Sequence, residues 1–139
     1  QKFAIFVTKT FMKNFQKLYE EASKISPRRT LTKYASCGGV GSALITDKGN
    51  IYTGICIVCK TSVVCAEHSA IADMLKHGES EIKEIIAVSH DRNEVITPCG
   101  NCREFMLQID VNNGKTLVCI GNNESIELSK LMPHHWMRL

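Results

Sequence analysis

Two short stretches constrain this chain more than any others: Val64-Cys65-Ala66-Glu67-His68 and Thr97-Pro98-Cys99-Gly100-Asn101-Cys102-Arg103. Each opens a segment of helical periodicity. Cys99-x-x-Cys102 sets two sulfurs one helical turn apart, within reach of one tetrahedral metal, and Cys65 begins the other helix. If the three thiols form one site, the fold must bring two helix N-termini together. There the unpaired N–H groups and the positive dipole end favour thiolate over thiol. Three ligands leave a fourth position open, the arrangement of a catalytic Zn2+ rather than a structural one. Glu67, two residues after Cys65, is placed to take a proton from a zinc-bound water and return it to the substrate. Three thiolates around one Zn2+ leave a net negative charge, which Arg103 and His68 are expected to offset in part.

The rest of the chain is read by how it carries these helices. The first should run from Cys65 to about His77 and close at Gly78, with Glu67, Ile71, Met74 and Leu75 on one face. The second starts at Cys99, with Cys102, Phe105, Met106 and Ile109 on its buried side. An amphipathic helix is expected through Phe11, Phe15, Leu18, Ala22 and Ile25, capped by Thr10 and stopped by Pro27. Arg28 to Gly39 reads as a polar connection. Val40 to Thr46 and Ile51 to Val58 read as antiparallel strands around the turn Asp47-Lys48-Gly49-Asn50. Ile85 to His90, Leu117 to Gly121 and Ser125 to Leu128 complete about five strands. Alternating strands and helices imply that part of the sheet is parallel. The expectation is one three-layer α/β/α domain over residues 1–139 with a mixed sheet.

Composition removes several function classes. The net charge of +3 is spread without a basic block, so nucleic acid is not the expected partner. Seven cysteines, an odd number at irregular spacing, fit metal ligation in a reducing cytoplasm better than a disulfide scaffold. The apolar run Phe3 to Val7 is too short for a membrane span, so a soluble protein with no membrane partner is expected.

Cys65-Ala66-Glu67 and Pro98-Cys99-Gly100-Asn101-Cys102-Arg103 match the zinc deaminase signature in its all-cysteine form. From about Val40 onward the chain resembles the cytidine deaminase family, including its small homotetrameric nucleoside enzymes and the blasticidin S deaminases. The resemblance implies zinc hydroxide attacking C4 of a cytosine-type ring in a free nucleoside and releasing ammonia. It implies that the Ala66 N–H and the Thr97 carbonyl grip the ring edge and its amino group. A homo-oligomer, a tetramer, is implied too. So is an aromatic near the C-terminus, here Trp136, that closes an active site, often a neighbour's. Arg138 is then placed to pair with a substrate carboxylate.

The chain also departs from that family. Where relatives carry F-x-V-G-A-A-L, it has Gly38-Gly39-Val40-Gly41-Ser42-Ala43-Leu44, which loses the aromatic wall and leaves Val40 against the substrate. Where relatives carry N-x-E-N, it has Cys56-Ile57-Val58-Cys59, so Val58 stands in place of a ribose-binding carboxylate. That should penalise a plain nucleoside. The tail from Leu131 to Arg138 leans towards the blasticidin S branch, making blasticidin S deamination an alternative to cytidine deamination. Other classes stay in view. One is a non-catalytic zinc-binding module: Cys56 and Cys59 beside Cys99 and Cys102 offer a closed four-cysteine site on paper, although Cys56 and Cys59 alternate in a strand and read as core. Another is a polynucleotide deaminase, which would want more than 6% aromatic residues.

Overall fold

Neighbouring strands divide their side chains between two cores, and that division sets the architecture. The computed structural model describes residues 10–137. The chain begins with β1 (Thr10–Phe11), α1 (Phe15–Ile25), β2 (Arg29–Thr32), β3 (Ala35–Thr46) and β4 (Ile51–Cys59). It continues through β5 (Val63–Val64), α2 (Ala66–Lys76), β6 (Ile82–Ser89), β7 (Glu94–Ile96) and α3 (Gly100–Ile109). A 3-10 turn (Val111–Lys115) leads to β8 (Leu117–Gly121), β9 (Glu124–Glu127) and a last 3-10 turn (Leu128–Leu131).

Among the described residues one sheet runs β1-β9-β8-β6-β3-β4-β5, with β2 added on β3 and β7 on β6. The pair β6–β8 is parallel and the other pairs are antiparallel, so the sheet is mixed as expected. It holds nine strands rather than about five. The five foreseen are β3, β4, β6, β8 and β9. The other four are two to four residues long, too short for alternation to register in a sequence.

Successive residues of a strand face opposite sides of a sheet. Leu44 pairs with Ile85, which pairs with Val118, and this row packs under Ile71 and Met74 of α2 and Met106 and Leu107 of α3. Their chain neighbours Ala43, Ile86 and Cys119 face the other way, against Leu18 and Ala22 of α1. The result is three layers, with α1 alone on one face. No helix among the described residues is long and apolar enough to cross a membrane.

Two boundaries and one helix face differ most from the sequence reading. Helix α1 starts at Phe15, not near Phe11, because the buried Glu84 carboxylate accepts the Lys13 and Asn14 backbone N–H groups at 3.1 and 3.0 Å. Phe11 instead pairs with Glu124 in the sheet and is exposed. The connection from Arg28 to Gly39 is largely strand, since Arg29–Thr32 folds back on Ala35–Cys37. Leu75 lies off the buried face of α2, while Glu67, Ile71 and Met74 lie on it. The Phe3 to Val7 run and Arg138 fall outside the described residues.

Candidate active site

Helices α2 and α3 rise from the same end of the sheet, so their N-termini meet. Cys65 is the N-cap of α2 and Cys99 the N-cap of α3; each precedes its first helical residue instead of occupying it. Cys102 sits one turn into α3. The three sulfurs lie within 4.8 Å of one another, and Cys99 Sγ and Cys102 Sγ are 3.8 Å apart. Tetrahedral thiolates at the usual zinc–sulfur bond length place their sulfurs about 3.8 Å apart. The donor set therefore fits such an ion.

The electrostatics sort the thiols. Cys99, the exposed one, has its thiol lowered by the N–H of Cys102 and, beyond it, that of Asn101. Burial raises the thiol of Cys65 and, more strongly, that of Cys102, where the Glu67 carboxylate pushes in the same direction. The helix ends thus lower the Cys99 thiol rather than all three, because desolvation outweighs them at the other two sites. A bound cation would supply the missing charge. Glu67 is 5% exposed, and burial lifts its carboxyl above the ordinary range. Its own backbone N–H, the Cys102 thiol and His68 offset only part of that lift.

Glu67 and the three cysteines line one cleft of about 170 Å³ together with Ala66, Val40 and Thr97. Cys56, which the sequence reads as core, and Ile96, which it does not pick out, complete its lining. Alternation separates Cys56 from Cys59 but does not say which faces the site. A bulge in β3 between Cys37 and Gly41 decides it by setting Val40 and Cys56 into the same cleft. Ala66 is the first residue of α2, so its N–H has no partner within the helix.

The other expected residues stand further out. The His68 ring packs on Phe105 with centroids 4.1 Å apart, and its Nε2 is buried without a partner. Arg103 donates from Nε to the Pro98 carbonyl at 2.8 Å and from Nη1 to the Leu131 carbonyl at 3.4 Å, bracing the loop that carries Thr97. Trp136 is exposed and is not part of the cleft lining in its own chain; its indole N–H donates to Glu104 at 2.6 Å.

Residues 12–119 match the family model of the cytidine and deoxycytidylate deaminase zinc-binding region. The chain is 31% identical over 124 residues to a probable cytidine deaminase of Dictyostelium discoideum, covering 82% of each. It is 36% identical over 76 residues to a blasticidin-S deaminase of Bacillus cereus, covering 48% of this chain and 54% of the relative. The crystal structure of cytidine deaminase from Mycobacterium tuberculosis superposes with a TM-score of 0.73 at 20% identity, over 89% of this chain and 98% of that one. Three layers, two converging helix ends and a buried glutamate beside three thiols place the chain among the hydrolytic deaminases. Within them, it belongs to the cytidine deaminase family.

Proposed function

We propose that the protein removes the exocyclic amino group from the cytosine-type ring of a free, nucleoside-like small molecule, releasing ammonia, with Zn2+ held by Cys65, Cys99 and Cys102. The observation that carries this is a buried carboxyl, Glu67, in the same cleft as three thiols spaced for one ion. When bound, zinc supplies Lewis-acid activation of a water molecule. Glu67 would take one proton from that water and deliver it to the ring nitrogen, then take the second from the hydroxyl added at the ring carbon and deliver it to the departing amine. Its raised proton affinity suits both steps, because a general base and acid works best with a pKa drawn towards the operating pH. Ala66, with an uncommitted N–H, and Thr97, with its carbonyl, hold the ring edge. Val40 closes one wall. Arg103 contributes positive charge near the thiolates.

Cytidine, deoxycytidine and blasticidin S are the rival substrates, and Val58, standing where relatives carry a ribose-binding carboxylate, counts against each of them. A homotetramer in the cytoplasm belongs to the same reading, with Trp136 reaching a neighbour's cleft; a monomer in sedimentation at micromolar concentration would remove that role. Ammonia release by the zinc-loaded protein, against cytosine, cytidine, deoxycytidine, blasticidin S and adenosine, tests the function. Turnover of a cytosine compound that Glu67→Ala abolishes is expected. One zinc per chain with silence across the panel would favour a non-catalytic zinc module.

A further inference from the structure

The cleft of about 170 Å³ is small. Small-molecule sites usually start near roughly 300 Å³, so this one takes a ring and leaves the rest of the substrate at its mouth. The β3 bulge meets the cleft at Val40. Cys37 pairs with Ile57 and Gly41 with Ile55, so Gly38, Gly39 and Val40 together oppose Cys56. Arg28 lies flat on this bulge: a Cβ at Gly39 would fall 2.5 Å from its Nη2 and 2.8 Å from its Cζ. Only glycine at 39 admits the guanidinium there. Its charge reaches Cys56 inside the cleft, where it opposes the upward push of burial on the thiol.

Arg28 has an acidic neighbour, but not a tightly held one. Its ion pair with Asp91 is a single 3.4 Å contact between side chains 50% and 60% exposed, and such pairs contribute little. The cleft walls beside it, Val40 and Cys56, offer no carboxylate to a sugar hydroxyl. A guanidinium fork is suited instead to an oxyanion. Resting on the deaminase reading above, we propose that Arg28 determines specificity by binding an anionic group, a phosphate or a carboxylate, that the substrate carries outside its base.

The test is calorimetric binding to the zinc-loaded Glu67→Gln protein, which needs no turnover. Its probes are cytidine, cytidine 5′-monophosphate and the 5′-carboxylate analogue of cytidine. At least one anionic form should bind tighter than cytidine, and the arm that does identifies the group. Arg28→Gln should cut that preference roughly tenfold. Arg28→Lys should keep part of it, and Asp91→Asn, which removes the competing carboxylate, should increase it. Anionic forms that bind no better than cytidine, or a preference that Arg28→Gln leaves unchanged or Asp91→Asn abolishes, would overturn the proposal. A wild-type enzyme that releases no ammonia yet keeps an Arg28-dependent preference would end the deaminase reading and leave this one standing.

Discussion

A Cβ at Gly54 would lie 2.4 Å from the Ala66 carbonyl oxygen and 2.2 Å from the Ala70 amide nitrogen, so β4 and α2 touch backbone to backbone. The position of Cys65 and Glu67 therefore depends on a missing side chain one strand away. Gly54→Ala should push α2 outward, because neither colliding atom belongs to a flexible side chain. The expected loss is about 3 kcal/mol, at the upper end of ordinary overpacking. Urea unfolding of the wild type and the variant checks this, with zinc titration beside it. Unchanged zinc affinity would mean that α2 is placed by its other contacts.

Glu84 is almost fully buried in β6, yet it serves the start of α1 by accepting the Lys13 and Asn14 N–H groups. Removing it leaves two donors without their acceptor. Glu84→Ala should cost roughly 2 kcal/mol or more, and Glu84→Gln less, since one acceptor oxygen survives. Hydrogen exchange should quicken first in the opening turn of α1. Exchange that rises uniformly through the sheet would instead assign Glu84 to the core as a whole.

This contact also shows why part of the fold was hidden in the sequence. The apolar stripe from Phe15 to Ile25 reports a helix, but its start is fixed by a carboxylate some seventy residues later in the chain, which no local pattern reveals. The clustering of Cys65, Cys99 and Cys102 with Glu67 was legible because helix geometry and metal chemistry both act over short spacings. The place of Cys56 in the cleft was not, since it depends on the β3 bulge opposite it, nor was the packing of Arg28 on Gly39. The same limit explains Cys65 and Cys102: their position near a helix end was readable, but the burial that raises their thiols is a tertiary property.

A second buried glutamate ties the β3–β4 hairpin to the end of α2. Glu79 accepts from Thr46 Oγ1 at 2.7 Å, Asn50 Nδ2 at 2.9 Å and the Tyr52 hydroxyl. Tyr52 and then Thr46 are the chief causes holding the Glu79 carboxyl below its ordinary range, with a small contribution from Lys48. The same hydrogen bond pushes Tyr52 up to about 12, helped by burial, Glu79 and Asp73. A depressed carboxyl stabilises the fold above its unfolded pKa and loses that as pH falls through the folded value. A raised phenol stabilises it below its unfolded pKa and loses that as pH climbs towards the folded value. Tyr52→Phe should therefore lower the urea midpoint by a constant amount between about pH 5.5 and about pH 9. The gap to the wild type should narrow on both sides of that window. A gap independent of pH would mean that the lost hydroxyl acts through packing alone.

On the proposed reading, holding the metal and moving the proton fall to different residues, so variants should separate them. Glu67→Gln keeps the shape of the side chain and leaves all three thiols in place. It should retain one zinc per chain while ammonia release drops by about a thousandfold, the middle of the range for a lost general acid–base group. Cys102→Ser removes the buried ligand and should lose the zinc itself. The thermal midpoint distinguishes the two without any activity measurement, because a ligand that binds only the folded state stabilises it. Adding a chelator should lower the midpoint of the wild type and of Glu67→Gln alike, and leave that of Cys102→Ser unmoved. Zinc lost from Glu67→Gln as well would make the carboxylate a ligand, and a ligand cannot also be the free base this site requires.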